Sequence, residues 1–111
     1  MLLSRADVFS RLTKYAEAEA DLTRALSYSP SYLGALEYRG YVRYMMGNYT
    51  AAIEDFDNYI SINDRSGYVY HRRGLSHHKL FNNFQACQDL RRARDLGFQF
   101  DLSILKTTCG E

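Results

Sequence analysis

Residues 36–62, LEYRGYVRYMMGNYTAAIEDFDNYISI, decide the fold of this chain. Apolar side chains recur in this stretch at intervals of three and four, which is the pattern of helices with one buried face. Gly47 and Asn48 interrupt it with the residue types that favour turns. The stretch therefore predicts two amphipathic helices joined by a tight turn.

The same unit recurs at a fixed offset of 34 residues on both sides of this stretch. The positions that recur forward are Arg39, Gly40, Asn48, Ala52 and Asp55, which become Arg73, Gly74, Asn82, Ala86 and Asp89. The positions that recur backward are Arg39, Tyr49, Ala52 and Asp55, which become Arg5, Tyr15, Ala18 and Asp21. Three copies thus fill nearly the whole chain.

This pattern resembles the tetratricopeptide repeat, a helix-turn-helix unit of the same period. The residues that carry the resemblance in the middle copy are Leu36, Gly40, Gly47, Tyr49, Ala52 and Phe56. The resemblance implies an all-α fold, a right-handed superhelix (α-solenoid) of three repeats with a short C-terminal capping helix. We expect one domain over residues 1–111, with repeats at 1–32, 33–66 and 67–98 and the capping segment at 99–111.

Local signals predict where each helix begins and ends. The expected helices are residues 1–12, 15–28, 32–46, 49–62, 68–80 and 84–96, with a short one over 101–107. Thr13 and Lys14 are expected to form the first turn, and Pro30 stops the second helix because it lacks the amide hydrogen that a helix needs. The run ACQDLRRARDLG also resembles the closing unit of tetratricopeptide proteins from Bacteroidetes-type bacteria, which favours a bacterial source.

Composition excludes several function classes. A net charge of +1 over 111 residues argues against a nucleic-acid partner or a polybasic membrane anchor. No apolar run approaches the roughly 18 residues of a membrane span, so we expect no membrane partner and a cytoplasmic location. Cys87 and Cys109 are too few for a disulfide framework. Packing as a small apolar residue is our first expectation for Cys87, and a disulfide with Cys109 stays open if the tail folds back.

The most regular polar feature is an arginine and an aspartate sixteen residues apart in every copy. The three pairs are Arg5 with Asp21, Arg39 with Asp55 and Arg73 with Asp89. In an antiparallel helix pair this spacing brings a guanidinium onto a facing carboxylate. We interpret the pairs as structural, because a repeated pair rarely marks a single active site. If the pair is buried, Arg39→Ala should cost on the order of 3 kcal/mol.

No constellation in the sequence indicates catalysis or a cofactor. His71 and His78 lie seven residues apart on one helical face, beside His77, but no acidic residue or close cysteine completes a zinc site. We find no nucleophile with a base and an orienting group, and no phosphate-binding loop. The sequence thus predicts a protein that is not an enzyme and holds no cofactor or metal.

The resemblance implies a concave groove lined by the first helix of each repeat. Tyrosine, arginine and methionine, the residue types enriched at binding surfaces, are prominent on those helices. The candidate groove residues are Glu37, Tyr41, Tyr44, Met45, Tyr68, His71, Arg72, Leu75 and His78. Some family members bind the C-terminal carboxylate of chaperones through five polar residues on these helices. Only Arg72 agrees with that set, so we do not expect a chaperone tail as ligand.

Two hypotheses of function follow from these observations. The first is a non-catalytic interaction module or scaffold that holds a peptide segment of a protein partner, with apolar anchors and some acidic character, in the groove. The alternative is a structural unit that self-associates through the ends of the array, as a homodimer or assembly element. Damage to partner capture by changing Tyr41 and Tyr44 together, or a stable dimer in light scattering, distinguishes the two.

Overall fold

A computed structural model describes the backbone of residues 5–110 and the side chains of residues 11–110. Within that range every element is a helix. The helices are α1 (Arg5–Tyr28), α2 (Leu33–Met45), α3 (Tyr49–Ile62), α4 (Gly67–Lys79), α5 (Asn83–Asp95) and α6 (Ile104–Cys109). The predicted all-α solenoid is confirmed, and the observed bounds of α2 to α5 lie within one residue of those predicted.

The hairpin of α2 and α3 is closed by one turn residue and one close helix contact. Gly47 adopts a φ of 82°, a conformation that glycine enters without steric cost. Ala52 and Phe56 on α3 are fully buried beneath α2. A Cβ at Gly40 would lie 2.5 Å from Cε1 of Phe56. The absent side chain at Gly40 is therefore what allows the Phe56 ring to fit between the two helices.

The hairpin of α4 and α5 repeats this design at the 34-residue offset. Ser66 caps α4, because its hydroxyl accepts a hydrogen bond from the Val69 N–H at 3.3 Å. Ala86 and Leu90 on α5 are fully buried. A Cβ at Gly74 would lie 3.0 Å from Cγ of Leu90. The second hairpin is thus closely packed as well, with a little more space at the glycine.

Successive hairpins stack so that α1 packs on α2 and α3 packs on α4, while α2 also contacts α4 directly. A shared core runs through these contacts. Its buried members are Leu26, Ala35, Leu36, Ala52, Phe56, Tyr59 and Val69. The contact between α2 and α4 places the first helices of the two hairpins side by side on one face.

The first repeat differs from the prediction. Helix α1 continues without a break through Thr13 and Lys14, so the predicted turn there is wrong. The residues equivalent to Thr13 in the other repeats are Gly47 and Phe81, and both have positive φ. Thr13 is β-branched, and a β-branched residue strongly resists that conformation. Residues 1–4, and the side chains up to residue 10, lie outside the described part of the chain.

The C-terminal tail is tied to the last hairpin. Gly97 ends α5 with a φ of 87°, as the glycine at the helix end predicts. Helix α6 packs on α5 and buries Leu105. Cys87 and Cys109 form a disulfide with a Cα–Cα distance of 5.2 Å. Our first expectation, that Cys87 only packs, is therefore corrected; it is buried and also bonded, because the tail folds back.

Candidate functional site

The arginines of the repeat motif are held by carboxylates on the second helix of each hairpin. Arg39 donates two hydrogen bonds to Asp55, at 2.9 and 2.6 Å. Arg43 donates to the same carboxylate at 3.1 Å and to Glu19 on α1 at 2.8 Å. The Asp55 side chain is only 1% exposed. A buried carboxylate with this many charge-assisted donors is a structural anchor.

Arg73 forms the equivalent pair in the second hairpin. It donates to Asp89 at 2.8 and 2.7 Å, and its third contact reaches back to Asp57 on α3 at 2.9 Å. Burial on its own would lower the pKa of Arg73, but hydrogen bonds and charge from Asp89 and Asp57 outweigh it and raise that pKa. The arginine therefore joins its own hairpin to the preceding one.

This backward contact was missed from the sequence. Arg39 donates to Thr23 at 3.1 Å, and Thr23 lies 34 residues before Asp57. Arg39 and Arg73 thus each contact one residue sixteen positions ahead and another sixteen positions behind. Extending the offset search in both directions would have found both partners. Arg5, the repeat arginine of the first copy, has no described side chain, so its pairing with Asp21 stays a prediction.

Arg72, the residue before Arg73, lies in a different environment. Its guanidinium carbon lies 5.1 Å from the ring centre of Tyr41, 5.4 Å from that of Tyr44 and 5.6 Å from that of Tyr68. Among the side chains of residues 11–110 no carboxylate forms an ion pair with it, and its Nε is buried without a hydrogen-bond partner. We call these four residues the tyrosine floor.

The tyrosine floor joins α2 to α4 and contains four of the predicted groove residues. Three cation–π contacts hold the guanidinium in place without neutralising its charge. Burial raises the pKa of Tyr68, and both the charge of Arg72 and its hydrogen bond to the Tyr68 hydroxyl oppose that rise. The floor therefore presents an ordered positive charge surrounded by aromatic faces.

The remaining predicted groove residues lie on the same two helices. Met45 is 42% exposed, whereas Glu37, Leu75, His71 and His78 are half-buried. Burial raises the pKa of Glu37, and its charge acts on Tyr68. His71 and His78 each have a buried Nδ1 without a hydrogen-bond partner among the described residues. Their binding role stays a prediction.

An aromatic cluster beside the floor was not assigned from the sequence. The His71 ring lies 5.0 Å from Phe98 and 4.8 Å from Phe100, centre to centre, and Phe98 lies 5.9 Å from Tyr68. Burial, followed by the charge of Arg72, lowers the pKa of His71 to about 4. The two phenylalanines are visible in the tail sequence, but only the folded-back tail shows that they extend the floor.

The described side chains were also compared with the arrangement of a metal site and the helices with the length of a membrane span. No group of three or more histidine, cysteine, aspartate or glutamate side chains among them converges as a metal site would. Within the described residues, no helix is long and apolar enough to cross a membrane.

Comparison with known proteins identifies the repeat. Residues 1–32 match the family model described as tetratricopeptide repeat. No curated protein matches the chain significantly. Among solved structures, the first tetratricopeptide domain of Spaghetti (RPAP3), bound to the HSP90 peptide SRMEEVD, is similar with a TM-score of 0.82 and 19% identity, over 94% of this chain and 84% of that one.

Two further structures agree with this fold. The first tetratricopeptide domain of human RPAP3 has a TM-score of 0.80 at 19% identity, over 94% of this chain and 84% of that one. MamA has a TM-score of 0.81 at 18% identity, over all of this chain and 68% of that one. At such identities the likeness speaks for the fold alone. Residues 1–32 thus match the tetratricopeptide repeat, and the described residues have the fold of tetratricopeptide domains.

Proposed function

We propose that the chain is a non-catalytic interaction module that binds a peptide segment of a partner protein on the tyrosine floor. Tetratricopeptide domains serve in general as protein interaction modules, and the RPAP3 domain was solved with a peptide bound. We further propose where the segment binds, which is the face shared by α2 and α4, and which residue types it contains.

The observation that carries this proposal is the state of Arg72. Arg39, Arg43 and Arg73 all form ion pairs with carboxylates. Arg72 forms none with a described side chain, although its Nε is buried. A half-buried guanidinium that contacts three aromatic rings and bonds the Tyr68 hydroxyl retains further donors for an incoming carboxylate. An acidic side chain of the partner is the group that would complete this site.

The surroundings of Arg72 define the rest of the segment. Tyr41, Tyr44 and Tyr68 offer large rings with polar ends, and Met45 beside them offers a flexible apolar surface. Apolar residues flanking the acidic one would therefore be anchored on the floor. We propose a segment with one acidic residue between aliphatic or aromatic anchors. The RPAP3 peptide ends in a carboxylate, but this chain retains only Arg72 of the polar residues that recognise such an end.

Selection from a random peptide library tests the proposal. Twelve-residue peptides displayed on phage are selected on the purified protein, on Arg72→Gln and on the double variant Tyr41→Ala/Tyr44→Ala. We expect acidic peptides with apolar anchors to be enriched on the natural chain and lost on both variants. Arg24→Gln is the matched control, since Arg24 is exposed on α1. Enrichment that survives Arg72→Gln, or no enrichment at all, contradicts the proposal.

A further inference from the structure

A cavity of about 350 Å³ lies between α1, α2 and α3. Its walls include the polar side chains of Thr23, Arg39 and Asn58 and the apolar ones of Leu26 and Leu36. The volume is at the lower end of the range of small-molecule sites, roughly 300–1,000 Å³. The tyrosine floor is formed by other residues of α2 and α4, so this cavity is a separate candidate site.

The second hairpin shows what occupies the equivalent space there. By the 34-residue offset, Leu36 corresponds to Tyr70 and Asn58 to Arg92. The ring centre of Tyr70 lies 5.5 Å from the guanidinium carbon of Arg73 and 5.7 Å from that of Arg92. Leucine and asparagine are shorter than tyrosine and arginine. In the first hairpin the place of this aromatic ring is therefore left to the cavity.

The arginine in the cavity wall also has one carboxylate fewer than its counterpart. Arg73 donates to the carboxylate of Asp57 at 2.9 Å. Thr23 stands at the equivalent position, and Nη1 of Arg39 donates to its hydroxyl at 3.1 Å. Both arginines bind the repeat aspartate of their own hairpin as well. Relative to the second hairpin, the first thus lacks a carboxylate at the guanidinium beside which the ring is missing.

We propose that this cavity binds a small aromatic carboxylate, with its ring in the place of Tyr70 and its carboxylate in the place of Asp57. In the second hairpin both groups contact one guanidinium, that of Arg73. A molecule with a short link between ring and carboxylate therefore reaches Arg39 with both. The ring stacks over the guanidinium, and the carboxylate accepts hydrogen bonds from Arg39 and the Thr23 hydroxyl. The inference does not depend on the tyrosine floor.

Titration with a simple aromatic acid tests the proposal. The probe is hydrocinnamate, a phenyl ring joined to a carboxylate through two methylene groups. Isothermal titration compares it with its neutral amide, which keeps the ring, and with propionate, which keeps the carboxylate. We expect the natural chain to bind hydrocinnamate at least tenfold more tightly than either. Equal affinity for the amide, or no saturable binding at millimolar hydrocinnamate, overturns the proposal.

Variants that copy the second hairpin locate the site without removing the structural arginine. Thr23→Asp places a carboxylate where Asp57 lies, and Leu36→Tyr places a ring where Tyr70 lies. We expect each change to fill part of the cavity and to weaken hydrocinnamate binding at least tenfold. Arg24→Gln is the matched control for Thr23→Asp, since it lowers the net charge equally at a neighbouring exposed position, and it should stay within twofold. Binding that Thr23→Asp leaves unchanged overturns the proposal.

The tyrosine floor is the alternative site for an aromatic acid, because Arg72 lies there among three rings. If the cavity is the site, Arg72→Gln should bind hydrocinnamate within twofold of the natural chain. In a heteronuclear NMR titration, the Nε–H signal of Arg39 should also shift more than that of Arg72. Loss of binding in Arg72→Gln, or the larger shift at Arg72, overturns the assignment to the cavity.

Discussion

The hairpins of α2–α3 and α4–α5 have the same design and differ at a few equivalent positions. Both pair the repeat arginine with an aspartate sixteen residues on, and both use glycine where the helices approach. Arg43, which adds a second ion pair to the first hairpin, becomes His77 in the other. Gly47, at the first turn, becomes Phe81.

The comparison distinguishes the residues that stabilise both hairpins from the residues that give each hairpin its own surface. The shared arginine, aspartate and glycine lie between the helices, where the fold fixes geometry. Other positions that differ on α2 and α4 form the tyrosine floor, where the first hairpin supplies Tyr41 and Tyr44 while the second supplies Arg72. Binding character therefore lies in the differences between the repeats.

The largest expected effect is a loss of unfolding free energy when the repeat arginine of either hairpin is changed to alanine. Arg73→Ala leaves Asp89, 7% exposed, without an ion pair to a described side chain, which should cost about 3 kcal/mol of unfolding free energy. Arg39→Ala leaves Asp55 paired with Arg43, so we now expect the smaller loss of about 2 kcal/mol. Urea denaturation measures both. A larger loss for Arg39→Ala would show that Arg43 does not support Asp55.

A smaller loss of stability is expected when the glycine at the helix contact of each hairpin is changed to alanine. The added methyl of Gly40→Ala would meet three ring atoms of Phe56 at 2.5 to 2.9 Å. Overpacking of this kind costs about 2 kcal/mol. In Gly74→Ala the nearest atoms, of Leu90 and Asp89, lie at 3.0 to 3.2 Å, and we expect about 1 kcal/mol. Thermal unfolding of the two variants ranks them, and equal losses would contradict the tighter packing of the first hairpin.

Substitutions at the turn residues of the two hairpins should change the stability of the protein in opposite directions. Phe81 holds a φ of 63° and is 87% exposed, so Phe81→Gly should relieve backbone strain and stabilise the protein by about 1 kcal/mol. Gly47→Ala introduces similar strain at a φ of 82°, in a place with no neighbouring atom within 4 Å, and should destabilise by about 1 kcal/mol. Denaturation midpoints that move the same way in both variants would contradict this account of the turns.

The pH dependence gives the smallest difference and involves the equivalent residues Glu37 and His71. The pKa of His71 is lowered to about 4 in the folded protein by burial, whereas the unfolded chain has the usual value near 6.5. The unfolded state then binds more protons, so stability falls as pH decreases from about 6.5 to about 4. Burial raises the pKa of Glu37, which has the opposite sign, since protonation at low pH favours the folded state.

The measurement is urea denaturation at pH 7 and pH 4.5 for the natural chain and His71→Gln. We expect the variant to lose less stability on acidification than the natural chain, because it has no imidazole to protonate on unfolding. Identical losses would show that His71 titrates normally. Arg24→Gln serves as a control for the general response to a change in surface charge.

Most of the architecture was predictable because it rests on periodicity. The 34-residue offset located α2 to α5 and the Arg39 and Arg73 pairs, since each depends on spacing along the chain. The missing turn in α1 was not foreseen, because a turn signal at Thr13 and Lys14 was inferred from repetition rather than from residues that favour positive φ. Contacts that depend on a distant segment, such as Phe98 and Phe100 on His71, have no periodic signal.

The same reasoning explains what was missed in the site. Tyr41, Tyr44 and Tyr68 were predicted as groove residues from the resemblance to the tetratricopeptide repeat. Arg72 lies among all three rings, without an ion pair to a described carboxylate. This arrangement depends on how α2 and α4 pack in three dimensions. No role was predicted for Arg43, and its two partners on different helices became visible in the structure.

The most direct test of the central claim is the affinity of a library-selected acidic peptide for three proteins. Isothermal titration should give a Kd for Arg72→Gln at least tenfold weaker than for the natural chain, a loss of about 1.4 kcal/mol or more, while Arg24→Gln stays within twofold. Urea denaturation should show Arg72→Gln still folded, with a loss of about 2 kcal/mol or less from the missing cation–π contacts. Equal affinity for the natural chain and Arg72→Gln would contradict the claim that the tyrosine floor is the binding site.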